Sequence, residues 1–218
     1  MPDAFDPLSA RIIEQLGFPA VQCSGFSMAL AAMRPSEVEL GIEANLKVTQ
    51  AIVAAVQVPV MADGEDGFGD VAATAAAVRA FVAAGVAGIN LEDQVLGQPG
   101  PKRVVPRERM VEKLCAARDA AGESGNAELV INVRTDALMT TTDRTAGLRE
   151  AAERSRSYLA AGADMAFVIG AATLDEVRFL MREIGGPVSI AAGMPYNLQS
   201  LSLAGLKATG VARVSLPV

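Results

Sequence analysis

Acids fall directly behind two apolar, β-prone runs. Val58-Pro59-Val60-Met61-Ala62 leads into Asp63-Gly64-Glu65-Asp66-Gly67-Phe68-Gly69, and Val86-Ala87-Gly88-Ile89-Asn90-Leu91 leads into Glu92-Asp93. If these runs are neighbouring parallel strands, their carboxylates gather at one rim, where like charges in a low-dielectric mouth repel. A hard divalent cation relieves that repulsion, and Mg²⁺ or Mn²⁺ suits oxygen ligands. Asp63, Glu65 and Glu92 are the candidate metal ligands. The pattern points to a metal-dependent enzyme.

Other chemistry-bearing residues also follow β-prone runs. They are Ser24-Gly25-Phe26, Arg134-Thr135-Asp136, Gly170 and Gly193-Met194-Pro195-Tyr196. Arg134 suits an anionic substrate, and Gly-flanked amides suit an oxyanion. With a chelated cation, this set fits an α-oxo acid or its enolate. The plainer readings stand beside it. An acid after a strand often caps the next helix, which is the role assigned to Asp66 and Asp70, and Ser24 is open to it as well. A lone arginine is usually an ion-pair residue, and Cys23 and Cys115 read as core. Lys102 and Arg103, beside the Pro/Gly-rich stretch 97–101, read as solvated or as part of a lid.

Composition removes more hypotheses than any motif. The 218 residues contain no histidine, which excludes Ser–His–Asp and Cys–His catalysis and His-ligated zinc. A formal charge of −6 argues against nucleic acid or an acidic membrane surface as partner. No apolar run spans a bilayer, and two cysteines make no disulfide framework. A soluble cytoplasmic protein that binds a small anionic substrate is the expectation. At 51% hydrophobic, residues 1–218 can bury one full core, so a single domain is expected.

A repeated joint arranges these residues: amphipathic helix, glycine, then a β-prone run. It occurs around Gly17, Gly85, Gly162 and Gly210. Glycine at that position accepts the left-handed turn from helix into strand. Helices open at Asp6-Pro7, at Asp70 and at the capping box Thr173…Glu176. Their expected apolar stripes are Val71/Ala75/Val78/Val82, Leu148/Ala152/Ser155/Leu159 and Leu174/Val177/Met181/Ile184. Strands are expected over 20–23, 58–62, 87–91, 129–133, 165–169, 188–191 and 212–216. These are one fewer than a closed (β/α)₈ barrel needs. The fold expected is therefore a (β/α)₈ TIM barrel whose first strand and last helix lie outside the chain. An open doubly wound sheet is the rival.

At these same residues the chain resembles the isocitrate lyase / phosphoenolpyruvate mutase superfamily. The likeness rests on Pro2-Asp3-Ala4-Phe5-Asp6-Pro7-Leu8-Ser9-Ala10-Arg11, Ser24-Gly25-Phe26, residues 63–69, residues 85–93 and Asn132-Val133-Arg134-Thr135-Asp136. It implies a (β/α)₈ barrel, a homotetramer, Mg²⁺ and an enolate intermediate. Ser24, Gly25 and Phe26 match the segment that binds the substrate carboxylate. Asp63, Glu65 and Glu92 match the metal-site acids, and Arg134 matches the substrate-binding arginine. Arg134 and Glu92 are thus the candidate catalytic pair.

The departures fall at the reacting groups. Many lyases of the superfamily carry a Lys-Lys/Arg-Cys-Gly-His loop after the Glu-Asp pair, whereas residues 94–103 here hold neither Cys nor His. The usual Asp-x-Asp has become Asp63-Gly64-Glu65, and the strand-six glutamate is replaced near Ile169-Gly170. The chain is similar to the branch without the cysteine loop. A Mg²⁺-dependent lyase on a small 2-oxo or 2-hydroxy acid is the leading expectation. The alternatives are a phosphonate mutase or hydrolase and a non-catalytic barrel. Tyr196, Lys102 or a water on the metal is the open choice of proton donor.

Overall fold

The computed structural model describes residues 1–217. The order is β1 (Asp3–Ala4), α1 (Pro7–Gln15), β2 (Val21–Cys23), α2 (Gly25–Ala31), α3 (Glu37–Ala55), β3 (Val60–Asp63), α4 (Val71–Ala83) and β4 (Gly88–Glu92). The second half continues with α5 (Arg107–Glu123), β5 (Val130–Thr135), α6 (Arg144–Ala160), β6 (Met165–Val168), α7 (Leu174–Ile184), β7 (Val188–Ala191), α8 (Leu203–Thr209) and β8 (Arg213–Ser215). The strands form one 8-stranded parallel sheet in chain order. Pro2 bridges Leu216 in parallel, Asp3 N donates to Leu216 O at 3.3 Å, and Leu216 N donates to Met1 O at 3.0 Å. These bonds join β1 to β8 and close the ring, so the protein is a (β/α)₈ barrel rather than an open sheet.

The first strand therefore lies within the chain, contrary to the sequence expectation. Its two residues, Asp3 and Ala4, pair with Gln22 and Cys23. A two-residue strand carrying a carboxylate leaves no periodic signal. No helix follows β8 among the described residues.

Local chemistry explains the other boundaries. Asp6 accepts from Ser9 N while Ser9 Oγ returns to the Asp6 amide, a reciprocal cap with Pro7 at the first helical turn. Asp70 caps α4 through Ala73 N, and Thr173 with Glu176 forms the box that opens α7. α7 and α8 end on left-handed Gly185 and Gly210. Gly41 (φ 73°) kinks α3 near its start.

The apolar stripes are rotated relative to the sequence reading. α4 buries Thr74, Ala77, Val78 and Phe81, and α6 buries Ala151, Ala152, Ser155 and Tyr158 among others. In alanine-rich helices one large ring, Phe81 or Tyr158, outweighs several methyl groups and sets the buried face. Cys23 is buried as expected, but Cys115 is exposed on α5, whose inner face is taken by Met110, Leu114 and Ala117. No helix of the described residues is long and apolar enough to cross a membrane.

Candidate active site at the carboxyl ends of the strands

β3 ends on Asp63 and β4 on Glu92, so both carboxylates stand on the last pleat of their strands. Asp63 Oδ2 accepts from Gly25 N at 2.8 Å, and Oδ1 accepts from Glu65 N at 3.3 Å. Asn45 of α3 donates to the Asp63 carbonyl at 3.0 Å. Glu65 adopts a left-handed backbone (φ 49°), which turns the chain back over the rim. Its carbonyl accepts from Glu92 N at 2.8 Å, tying the two strand ends together. A non-glycine residue held there costs roughly 1–3 kcal/mol and persists where its surroundings over-determine it.

Glu65 Oε1 is buried without a hydrogen-bond partner. A Cβ on Gly25 would overlap that oxygen, so any larger residue at the start of α2 requires the Glu65 side chain to move. Ser24 caps the same helix, its Oγ accepting from Ser27 N at 3.3 Å.

Arg134 joins the carboxylates. Its Nη1 lies 2.8 Å from Glu92 Oε2, while Nε and Nη2 grip Asp136 at 2.7 and 2.9 Å. Lys102 Nζ reaches Asp136 Oδ1 at 2.8 Å and also contacts Gln94. Lys102 is exposed, as the solvated reading expects, yet its ammonium also reaches the buried anion Asp136. Arg134 is both an ion-pair residue and a cavity residue.

Proton affinities follow from this crowding. Burial pushes Glu65 up to about 11, and the Asp63 and Glu92 charges add to it. Burial raises Glu92 to about 8 even though Arg134 opposes it. Asp63 is raised as well, chiefly by burial. At Asp136 burial is outweighed by Arg134 and Lys102, which hold its carboxyl below the usual range.

A cavity of about 610 Å³ opens at this rim. Of the residues singled out by sequence, Ser24, Phe26, Asp63, Glu65, Glu92 and Arg134 line it. Gly25 does not; its amide is committed to Asp63. Asp93 turns away, fully buried, and accepts from Thr135 Oγ1 (2.7 Å), Asp136 N (3.0 Å), Tyr158 OH (2.8 Å) and Arg154 Nη1 (3.2 Å). After Asp93 the chain makes a hairpin, with Gln94 bridging Val104 and Val95 N donating to Arg103 O at 2.9 Å. Val105 N then returns to the Asp93 carbonyl at 2.8 Å.

Sequence reasoning missed the polar floor. Gln22 Nε2 contacts Asp3 and donates to Ser215 Oγ at 2.7 Å. Asn132 Nδ2 donates to Asn90 Oδ1 at 2.6 Å, and the Arg213 guanidinium lies 5.7 Å from the Phe167 ring. The available signal was a polar residue inside an otherwise apolar strand, as at Gln22, Asn90, Asn132 and Arg213.

The donor set suits a hard cation. Asp63, Glu65 and Glu92 face one cavity, with Asp3 and Glu37 also in its lining, and Glu65 Oε1 among them is buried without a partner. Among the described residues no three His, Cys, Asp or Glu side chains close around one point by themselves. Mg²⁺ tolerates this, because it usually keeps several waters and takes only one or two carboxylates from the protein.

Comparison with known proteins gives the family. Residues 1–218 match the phosphoenolpyruvate phosphomutase family throughout. The chain belongs to that family. Over 190 residues it is 35% identical to 2,3-dimethylmalate lyase of Eubacterium barkeri, covering 85% of this chain and 63% of that one. It is 34% identical over 191 residues to the chloroplastic carboxyvinyl-carboxyphosphonate phosphorylmutase of Arabidopsis thaliana, covering 85% and 54%. A crystal structure of 2,3-dimethylmalate lyase superposes with a TM-score of 0.88 at 26% identity, covering 99% of this chain and 74% of that chain. This member of the phosphoenolpyruvate phosphomutase family thus spans just over half to under two thirds of the length of those two curated relatives.

Proposed function

We propose that the protein is a Mg²⁺-dependent lyase, with Mn²⁺ able to substitute, that cleaves a C–C bond in a small 2-oxo or 2-hydroxy carboxylic acid through an enolate. The observation that carries this is the meeting of Asp63, Glu65 and Glu92 with Arg134 on one cavity wall, where Glu65 Oε1 lacks a partner. Asp63, Glu65 and Glu92 would hold the cation. When bound, Mg²⁺ supplies charge neutralisation for the oxygens of the substrate as enolate character develops.

The chain's own groups provide the rest. Arg134 and the Phe26 amide fix the substrate carboxylate beside Ser24, whose own amide is given to Ala4 O at 3.1 Å, with bidentate geometry available once Arg134 releases Glu92. Glu92, whose burial raises its proton affinity, accepts the hydroxyl proton of a 2-hydroxy acid. The O–H electrons become the new C=O, the C–C bond breaks, and the departing fragment leaves as a carbanion delocalised into its own carboxylate. Asp136 stays ionised and holds Arg134 in place.

The assembly proposed is a cytoplasmic homo-oligomer, a tetramer by family likeness. Leu8, Ile12 and Leu16 form an exposed apolar stripe on α1 and at its end that such packing would cover.

The test is an NMR screen of 2,3-dimethylmalate, other malate-type acids, 2-oxo acids and phosphonopyruvate with Mg²⁺. Release of a 2-oxo acid together with a carboxylic acid supports the lyase reading. Phosphoenolpyruvate formed from phosphonopyruvate replaces it with a mutase. Tight Mg²⁺ binding with no turnover of any acid leaves a non-catalytic barrel. Asp63→Ala with unchanged Mg²⁺ affinity overturns every metal-dependent reading.

A further inference from the structure

Cleavage leaves a carbanion that must be protonated, and the cavity wall opposite the carboxylates holds a group suited to this. Tyr196 lies in the loop between β7 and α8 and lines the same cavity as Asp63, Glu92 and Arg134. The loop is pinned by its neighbour Asn197, only 1% exposed. Asn197 Nδ2 donates to Ala171 O at 3.0 Å and Ala191 O at 2.9 Å, and its Oδ1 accepts from Met194 N at 3.0 Å. One amide therefore ties the ends of β6 and β7 together beneath the tyrosine.

The phenol oxygen accepts from Gly170 N at 3.1 Å. This bond occupies one lone pair and fixes where the oxygen sits. The hydroxyl hydrogen has no acceptor among the hydrogen bonds of the described residues. It remains available to a group in the cavity.

Three other proton carriers near the rim are committed elsewhere. Lys102 Nζ is held by Asp136 and Gln94. Cys23 packs in the apolar layer with Ala4, Met28 and Ile52, receives the Thr49 hydroxyl at 3.8 Å, and is raised to about 12 mainly by burial. Asp63 already accepts two amides.

We propose that Tyr196 is a catalytic residue that delivers the proton quenching the carbanion left by C–C cleavage, a role that rests on the lyase reading above. The Tyr196 O–H bond breaks as its proton joins the carbanion carbon, and the phenolate takes a proton back from solvent. Glu92 in turn releases to solvent the proton it accepted, so the protein is restored and protons balance. Burial disfavours the phenolate while Arg134 favours it, so the charge is short-lived and partly offset.

The test is hydrogen–deuterium exchange at C2 of propionate, the carbon that carries the charge when 2,3-dimethylmalate is cleaved, in D₂O with pyruvate and Mg²⁺-loaded protein, followed by NMR, beside oxalate binding by calorimetry. A positioned general acid contributes roughly 10²–10⁴-fold. Y196F is therefore expected to lose about 100-fold or more of the exchange rate while oxalate affinity stays within about twofold. Exchange by Y196F within about threefold of the unsubstituted protein overturns the assignment. Loss of exchange together with loss of oxalate binding makes Tyr196 a packing residue and overturns it too. If the unsubstituted protein neither exchanges propionate nor cleaves any acid in the screen, the lyase reading falls first and this one with it.

Discussion

The Gly25 amide and the Asp63 carboxylate meet at 2.8 Å, so the residue that opens α2 anchors the residue that closes β3. The same glycine leaves room for Glu65 Oε1. Gly25→Ala is expected to displace the Glu65 side chain while leaving the barrel folded. Mg²⁺ affinity should fall about tenfold, equivalent to about 1.4 kcal/mol, measured by calorimetry. Unchanged affinity would show that Glu65 takes no part in holding the ion.

Asp63, half-buried, beside the buried Glu65 and Glu92 costs stability in the absence of a cation. Asp63→Asn keeps an acceptor for the Gly25 amide and removes one charge. We expect the metal-free protein to become more stable by on the order of 1 kcal/mol, while stabilisation by added Mg²⁺ shrinks. Thermal melts with and without Mg²⁺ measure both effects. Their moving in the same direction would contradict the assignment.

Stability without metal should fall as pH rises from about 4 to about 8. Asp3 and Glu92 both have folded-state values near 8, above ordinary values of 3.8 and 4.5, with burial the largest cause for each. The folded state keeps protons that the unfolded chain has already lost, so deprotonation across this window favours unfolding. Denaturant titrations at several pH values read the slope. Asp3→Asn should flatten it, and a slope unchanged by that substitution would remove Asp3 from the account.

Asp93 receives two hydroxyls, an amide and a guanidinium without touching the cavity. Tyr158→Phe deletes one donor and leaves a buried carboxylate less satisfied, at a cost of about 1–3 kcal/mol. Denaturant midpoints measure the loss. Substrate affinity should change little, because Glu92 and Arg134 keep their own pairing at 2.8 Å.

Much of the barrel was legible because its strands are apolar runs that end at glycine or acid. Residues 165–168 and 188–191 form strands within the expected ranges, and Asp63 and Glu92 stand at the expected end of the sheet. β1 was not legible, since two residues with one charge become a strand only through neighbours on both sides. Among the rim residues, the sequence marked the acids and Arg134, whose charges interrupt apolar patterns. It did not reveal that Asp136 and Asp93 split between two tasks. Both follow strands, and only tertiary contacts send one to Arg134 and the other to Tyr158 and Arg154. Nor did it place Lys102 at Asp136, a contact made by a loop whose path local propensity leaves open.

The hairpin after β4 leaves at Asp93 and rejoins at Val105, two residues that bond to each other. It is a side excursion from a framework already closed without it. Insertions, deletions or wholesale exchange of 94–104 would leave the strand-end acids where they are. A scaffold built this way can acquire a new reaction by swapping one short segment.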